Sequence, residues 1–245
     1  MAKVSVMTPE KARRLEGGAL EYFGGDAPIH LHAHELAAGA ELGFEPWPVE
    51  RLVYVRTGAA ELGGTALPQG SVAIVERGAA AALRGAEACE LLVFHGAAPA
   101  IRAGGHVHLL PRDRAPRVPS LGASGVGGTL FADAQCPTCA VWLHENRFPA
   151  GAAAPASPEA GIHSHEEDEI IFVTGGAMLL GNRRVGPGTA IAIAADTMYS
   201  FLPAPEGLTF INFRAGLPRE IHFADGRSMD EVGIWNRVDR PLEYL

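Results

Sequence analysis

The segment His163-Ser164-His165-Glu166-Glu167-Asp168-Glu169 holds the residues of this chain best suited to chemistry. On an extended strand, imidazoles at i and i+2 point to one face, and a carboxylate four residues after the second can fold over onto them. Two imidazoles with one carboxylate suit iron, manganese, nickel or zinc, and leave coordination positions open for water, oxygen or substrate. A lone H-x-H in an acidic stretch reads as a solvated turn. Here, however, Ile170-Ile171-Phe172-Val173, Gly175-Gly176 and Met178-Leu179-Leu180-Gly181 follow at once, and read as two short strands joined by a glycine turn. The candidate ligands therefore stand at a strand entry.

The pattern H-x-H-x3-E-x6-G, ending at Gly176, resembles the first motif of the cupin superfamily. That resemblance implies a double-stranded β-helix, or jelly roll, with a metal inside the barrel. It implies His163, His165 and Glu169 as ligands of one divalent transition metal ion (Fe, Mn, Ni or Zn). The chain departs from the pattern in two places. Ser157 stands where the family usually has a glycine six residues before the first His, and of the second motif, G-x5-P-x-G-x2-H-x3-N, only Gly188 remains. Ala194, Asp196, Tyr199 and Pro203 occupy the places of its Pro, Gly, His and Asn, so the last His ligand is replaced by Tyr199. Its phenol can bind a metal weakly, hold a metal-bound water, or give up a proton once a cation lowers its pKa. Closing the barrel mouth against Phe201 is the alternative role.

Stepping the sequence against itself by 118 residues aligns Tyr54-Val55 with Phe172-Val173, and Gly58, Gly63 and Gly70 with Gly176, Gly181 and Gly188. Two copies of one β unit follow, and hence a bicupin. An offset of 112 brings Ala37-Ala38-Gly39 onto Pro149-Ala150-Gly151 and His32 onto His144, which places an insertion of about six residues in the Ala152–Pro158 stretch. The expected organisation is an N-terminal barrel over residues 1–115, a linker over 116–128 rich in Pro, Arg, Ser and Gly, and a C-terminal barrel with its tail over 129–245. Projected back, the metal set falls on Glu45, Trp47, Arg51 and Ala81, which hold no ligand set, so the metal motif belongs to the C-terminal copy only. Arg51 is expected in a salt bridge.

Thirty Gly and eighteen Pro among 245 residues fit an all-β chain of short strands separated by turns. A formal charge of −8 without clustered Lys and Arg argues against a nucleic-acid partner. No apolar run is long enough to span a bilayer and no secretory signal is evident, so no membrane partner and a cytoplasmic location are expected. Three Cys argue against a disulfide framework. Cys136-Pro137-Thr138-Cys139 has redox-motif spacing but lacks a βαβ context, and a lone C-x2-C supplies half of a structural zinc site; it reads as a strand entry with Cys139 in the core. His30, His32 and His34 read as a polar strand face, and His106 with His108 as structural. Ser228-Met229-Asp230-Glu231 reads as the cap of a short helical turn leading to Ile234-Trp235.

His144 lies on the same strand face as Trp142 and Phe148, and looks into the C-terminal barrel if that face is the interior. It is either a further ligand, a proton-transfer group, or a hydrogen-bonded core histidine. The function expected is a metal-dependent enzyme acting on a small organic substrate, with Tyr199 and His144 as catalytic candidates. The resemblance favours a non-haem dioxygenase. A metal-dependent isomerase, lyase or hydrolase of the bicupin type is the alternative, and so is a non-catalytic small-ligand-binding or sensing bicupin. Jelly rolls commonly pair through their sheets, so a homodimer is expected.

Overall fold

Runs of four to eight apolar or alternating residues between glycine turns have too little length for helices and enough β-branched content for strands. The computed structural model, which describes residues 3–121, 125–133, 135–152 and 157–245, accordingly contains twenty-two strands and two short helices. No helix among the described residues is long and apolar enough to cross a membrane.

The chain divides into two compact units. The earlier unit comprises residues 9–115, 135–141 and 242–245, and the later unit comprises 1–8, 116–134 and 142–241. This differs from a division into successive halves because edge strands find partners by pairing and not by chain order. The strand Val4–Met7 runs antiparallel to Ala190–Ile193, which puts the first residues into the later unit. The stretch expected to be a linker also contains a strand, Arg117–Leu121, paired with Val126–Ala132. The Ala152–Pro158 insertion falls mostly on residues 153–156, which lie outside the described residues.

The earlier unit consists of a seven-stranded and a four-stranded antiparallel sheet. Its core gathers Val53, Val55, Val75, Leu83, Leu91 and Val93, all from strands of period two. Arg51 is buried there, but its NH1 and NH2 donate to the carbonyls of Glu45 and Ala79 at 2.8 and 3.3 Å. Backbone oxygens thus take the place of the expected salt bridge. His30 and His32 have partners in Ala27 O and Glu21, at 2.9 and 3.4 Å, in keeping with a polar strand face. Cys136 and Cys139 are joined by a disulfide across a Cα separation of 5.5 Å, a local crosslink that spacing alone had not indicated.

The later unit is built on an eight-stranded antiparallel sheet with a three-stranded sheet beside it. The offset of 118 is visible in the backbone. Gly70 N donates to Val55 O at 2.8 Å and Gly188 N to Val173 O at 2.9 Å, and Gly58 and Gly176 share a left-handed φ of 68° and 62°. The two strands expected around Gly175-Gly176 are one continuous strand, Glu169–Leu180, whose register against Leu202–Arg214 shifts twice at the glycines. The glycines bend the strand as bulges and do not reverse it. Gly176 is required twice over, because its φ is left-handed and a Cβ would run into the backbone of Gly207. Gly176→Ala should therefore lower stability by about 2 kcal/mol or more, measured by denaturant unfolding.

Candidate functional site

Strands from both sheets of the later unit line one cavity. His163–His165 pairs antiparallel with Glu220–Phe223, and a single bridge joins His163 to Tyr199 through two backbone hydrogen bonds of 2.9 Å. Glu169 opens the long central strand. Along Leu202–Arg214, residues Phe210, Asn212 and Arg214 alternate onto the interior face, and Asn212 lies opposite His144 on one side and Ile171 on the other. The cavity has a volume of about 610 Å³ and is lined by His144, His163, His165, Tyr199, Asn212 and Arg214, among others. Phe148, Phe201, Phe210, Phe223 and Trp235 make most of its remaining wall apolar and aromatic.

Each imidazole is anchored through one nitrogen. His163 Nδ1 donates to Gly161 O at 3.1 Å, which leaves its Nε2 lone pair free, and His165 Nδ1 lies 3.0 Å from both the Glu231 carboxylate and the Arg214 guanidinium. The two rings are 5.2 Å apart between centroids, and His165 Nε2 is 3.9 Å from Glu169 Oε2. Glu169 is 1 % exposed; its Oε2 accepts from Asn212 Nδ2 at 2.6 Å, while its buried Oε1 has no hydrogen-bond partner. Burial, together with the nearby Glu169 carboxylate, pushes the Tyr199 phenol well above its usual pKa and holds it protonated.

Sequence reasoning missed the charges that hold this arrangement. Arg214 is fully buried; its NH1 donates to Glu231 at 2.5 Å and its NH2 lies 3.2 Å from Glu169 Oε2. Burial alone would lower the pKa of Arg214, yet Glu231 and Glu169 raise it. Burial likewise opposes ionisation of Glu231, but Arg214 and then His165 hold its carboxyl far below the usual range. Glu231 arrives on the short helix Glu231–Trp235, which begins after Asp230 as the capping pattern indicated, though without a side-chain cap hydrogen bond. The same helix sets Trp235 over the His144 ring at a centroid distance of 3.9 Å.

His144 is buried inside this unit and accepts from Trp142 Nε1 at 2.8 Å through Nδ1. Burial pushes it down to about 3 from 6.5, so it stays neutral. Asp168, next to Glu169 in the chain, accepts from Ala195 N at 3.0 Å. Glu166 pairs with Arg219 and His222 at the surface. The structure thus brings His163, His165, Tyr199 and His144 to the wall of one cavity, and places Glu169 behind that wall, 3.9 Å from His165. The signal for Arg214 and Asn212 was present in the alternation of Leu208, Phe210, Asn212 and Arg214; Glu231 left no local mark.

No family model and no curated protein matches this chain. Solved structures do. The Ylba protein of E. coli is 16 % identical and superposes with a TM-score of 0.67 over 86 % of this chain and 90 % of that one. A putative dioxygenase from Nostoc punctiforme is 10 % identical, with a TM-score of 0.61 over 87 % and 83 %. Streptomyces albus HEPD, solved with 2-hydroxyethylphosphonate and Fe(II) bound, is 10 % identical, with a TM-score of 0.64 over 87 % and 76 %. At these identities the likeness shows the fold, which is of the cupin type.

Two outcomes follow from the buried charges. Arg214→Met leaves Glu231 and Glu169 without their counter-charge and should lower stability by about 3–5 kcal/mol in chemical denaturation. His144 binds its proton near 6.5 when unfolded and only near 3 when folded. Stability should therefore be intact above about pH 6.5 and decline as pH falls toward 3, and His144→Phe should flatten that decline in thermal scans.

Proposed function

We propose that the chain is a bicupin whose later barrel is a metal-dependent enzyme for a small, largely apolar or aromatic organic molecule, with His163, His165 and Glu169 as the metal ligands. The observation that carries this reading is the buried, unpartnered Glu169 Oε1, in a carboxylate whose other oxygen lies 3.9 Å from His165 Nε2, with His163 on the same short strand and in the wall of the same cavity as His165. An orphaned carboxylate oxygen at 1 % exposure is costly without a cation or donor, and a divalent ion would satisfy it. The donor set of two nitrogens and one oxygen fits iron(II), manganese, nickel or zinc. When bound, such a metal supplies Lewis acidity and, if it is iron(II), open positions for oxygen.

The chain's own residues do the rest. Glu231 and Gly161 O contact the two imidazoles, and Asn212 and Arg214 fix the Glu169 carboxylate. Against burial, His165 and then Arg214 lower the pKa of Glu169, and Arg214 and then His165 that of Glu231, so that the ligand carboxylate does not take up a proton at neutral pH. The aromatic walls exclude water and favour a substrate with an apolar face. Tyr199, protonated, and neutral His144 are the groups able to give or accept a proton toward a bound molecule. Oxygenation of such a substrate is the reaction we favour; isomerisation, lyase chemistry or hydrolysis would use the same ligands with a different metal.

A second reading, in which this barrel only binds or senses a small ligand, is favoured by Arg214. Its guanidinium already places one positive charge 3.2 Å from Glu169. Elemental analysis after supplementation with iron, manganese, nickel and zinc separates the two readings. Wild type should hold about one ion per chain in this barrel, and His163→Ala with Glu169→Ala should lose it while keeping the far-ultraviolet circular dichroism of the folded protein. Absence of metal from wild type in this barrel would leave the sensing reading. Tyr199→Phe should keep the ion but cut turnover of any substrate identified by about 10²-fold or more, as expected for a lost proton-transfer group.

A further inference from the structure

The earlier unit holds a second group of donors that the proposed function does not use. Glu76, His108, Cys136 and Cys139 present a carboxylate oxygen, an imidazole nitrogen and two sulfurs, all within 4.8 Å of one another. They are brought together from the end of one strand, from the strand Val107–Leu110 and from the 135–141 segment, which the fold assigns to the same unit. Cys136 Sγ is 3.9 Å from Glu76 Oε1 and 3.8 Å from His108 Nε2. Donors of a tetrahedral zinc ion, with bonds near 2.0 Å to nitrogen and oxygen and 2.3 Å to sulfur, stand about 3.5 Å apart, so modest closure suffices. Histidine Nε2 and Glu76 Oε1, 2.6 Å apart, need to open by a similar amount.

The surroundings are those of an oriented ligand set. Glu76 has a fully buried side chain, and its second oxygen is held by the backbone N and the Nδ1 of His106, at 2.9 and 3.1 Å. Cys139 N donates to Cys136 Sγ at 3.1 Å, a contact that stabilises sulfur carrying negative charge. Arg102 NH1 and Gly104 N donate to the carbonyls of Cys139 and Thr138, at 2.9 and 3.1 Å, and so fix the C-x2-C turn. Cys89, the remaining cysteine, lies in the hydrophobic core and takes no part. Glu76 Oε1 meets His108 Nε2 at 2.6 Å and accepts from Thr138 Oγ1 at 2.5 Å, so a carboxylate and an imidazole paired with each other also lie within 4 Å of Cys136 Sγ. A divalent cation suits this donor set.

We propose that Glu76, His108, Cys136 and Cys139 form a structural zinc site that is available when the two cysteines are reduced. A dithiol reductant opens the disulfide by exchange, becoming a disulfide itself as its two protons pass to the cysteine sulfurs. Zinc binding then releases one proton from each thiol to solvent, and the two thiolates, the carboxylate and the neutral imidazole complete four coordination. The site is chemically distinct from the one proposed in the later barrel, because only it contains sulfur.

Cobalt(II) titration tests this on the full chain after reduction with a water-soluble phosphine and its removal without oxygen. The expected result is a thiolate-to-cobalt charge-transfer band in the near ultraviolet, saturating at about one equivalent and bleached by added zinc. The band should persist in His163→Ala with Glu169→Ala, should disappear in Cys136→Ser with Cys139→Ser, and should need about 10-fold or more cobalt in Glu76→Gln. Absence of the band from reduced, folded wild type overturns the proposal, as does its survival in the double serine variant. If the serine variant does not fold, X-ray absorption of zinc-loaded wild type decides: two sulfur neighbours support the site, and nitrogen and oxygen neighbours alone refute it.

Discussion

The later unit depends on one buried guanidinium. Arg214 sits with no solvent exposure between the carboxylates of Glu231 and Glu169, and none of the three could remain charged there without the others. This pairing closes the short helix Glu231–Trp235 onto the sheet, turns the His165 ring by way of Glu231, and keeps Glu169 ionised. Two negative charges meet one positive charge, so the cluster retains an electrostatic demand for a further cation. Such an arrangement serves a binding site better than it serves stability, since apolar replacements of similar volume would cost less desolvation.

Around that cluster the division of labour follows burial. The apolar walls come from alternate residues of strands that would form in any β-sandwich, whereas the polar groups enter from three directions: the His163–His165 strand, the central sheet and the C-terminal helix. Tyr199 packs against His163 with ring centroids 4.5 Å apart and planes tilted by 50°, and its buried phenol is held protonated. His144, kept neutral between Trp142 and Trp235, is equally a packed core residue and a cavity wall.

The two units differ in what they bury at positions 118 residues apart. At the positions equivalent to the later His pair and Glu169, the earlier unit has Glu45, Trp47 and Arg51, with Arg51 tied to backbone carbonyls. The matched glycines, by contrast, keep left-handed backbone in both units, and at Gly58 and Gly176 the approach of neighbouring backbone also leaves no room for a side chain. Backbone geometry is repeated while interior chemistry is not.

Much of the fold could be read from residues adjacent in sequence. Period-two apolar runs, glycines at matching offsets and the H-x-H-x3-E spacing are local patterns, and local patterns fix strands, turns and which side chains share a face. The sequence also marked Tyr199 by its register and His144 by its neighbours. What it left undetermined were contacts between residues far apart in the chain. Gly175-Gly176 bend one strand and do not join two, because Gly207 approaches them. The 135–141 segment meets Glu76 and His108, which makes a four-donor cluster out of half a motif. Glu231 finds Arg214 and His165 across a stretch with no periodicity. Each of these needs the chain to be folded first, since a buried charge or a shared ligand set is a property of distance in space, which spacing along the chain does not encode.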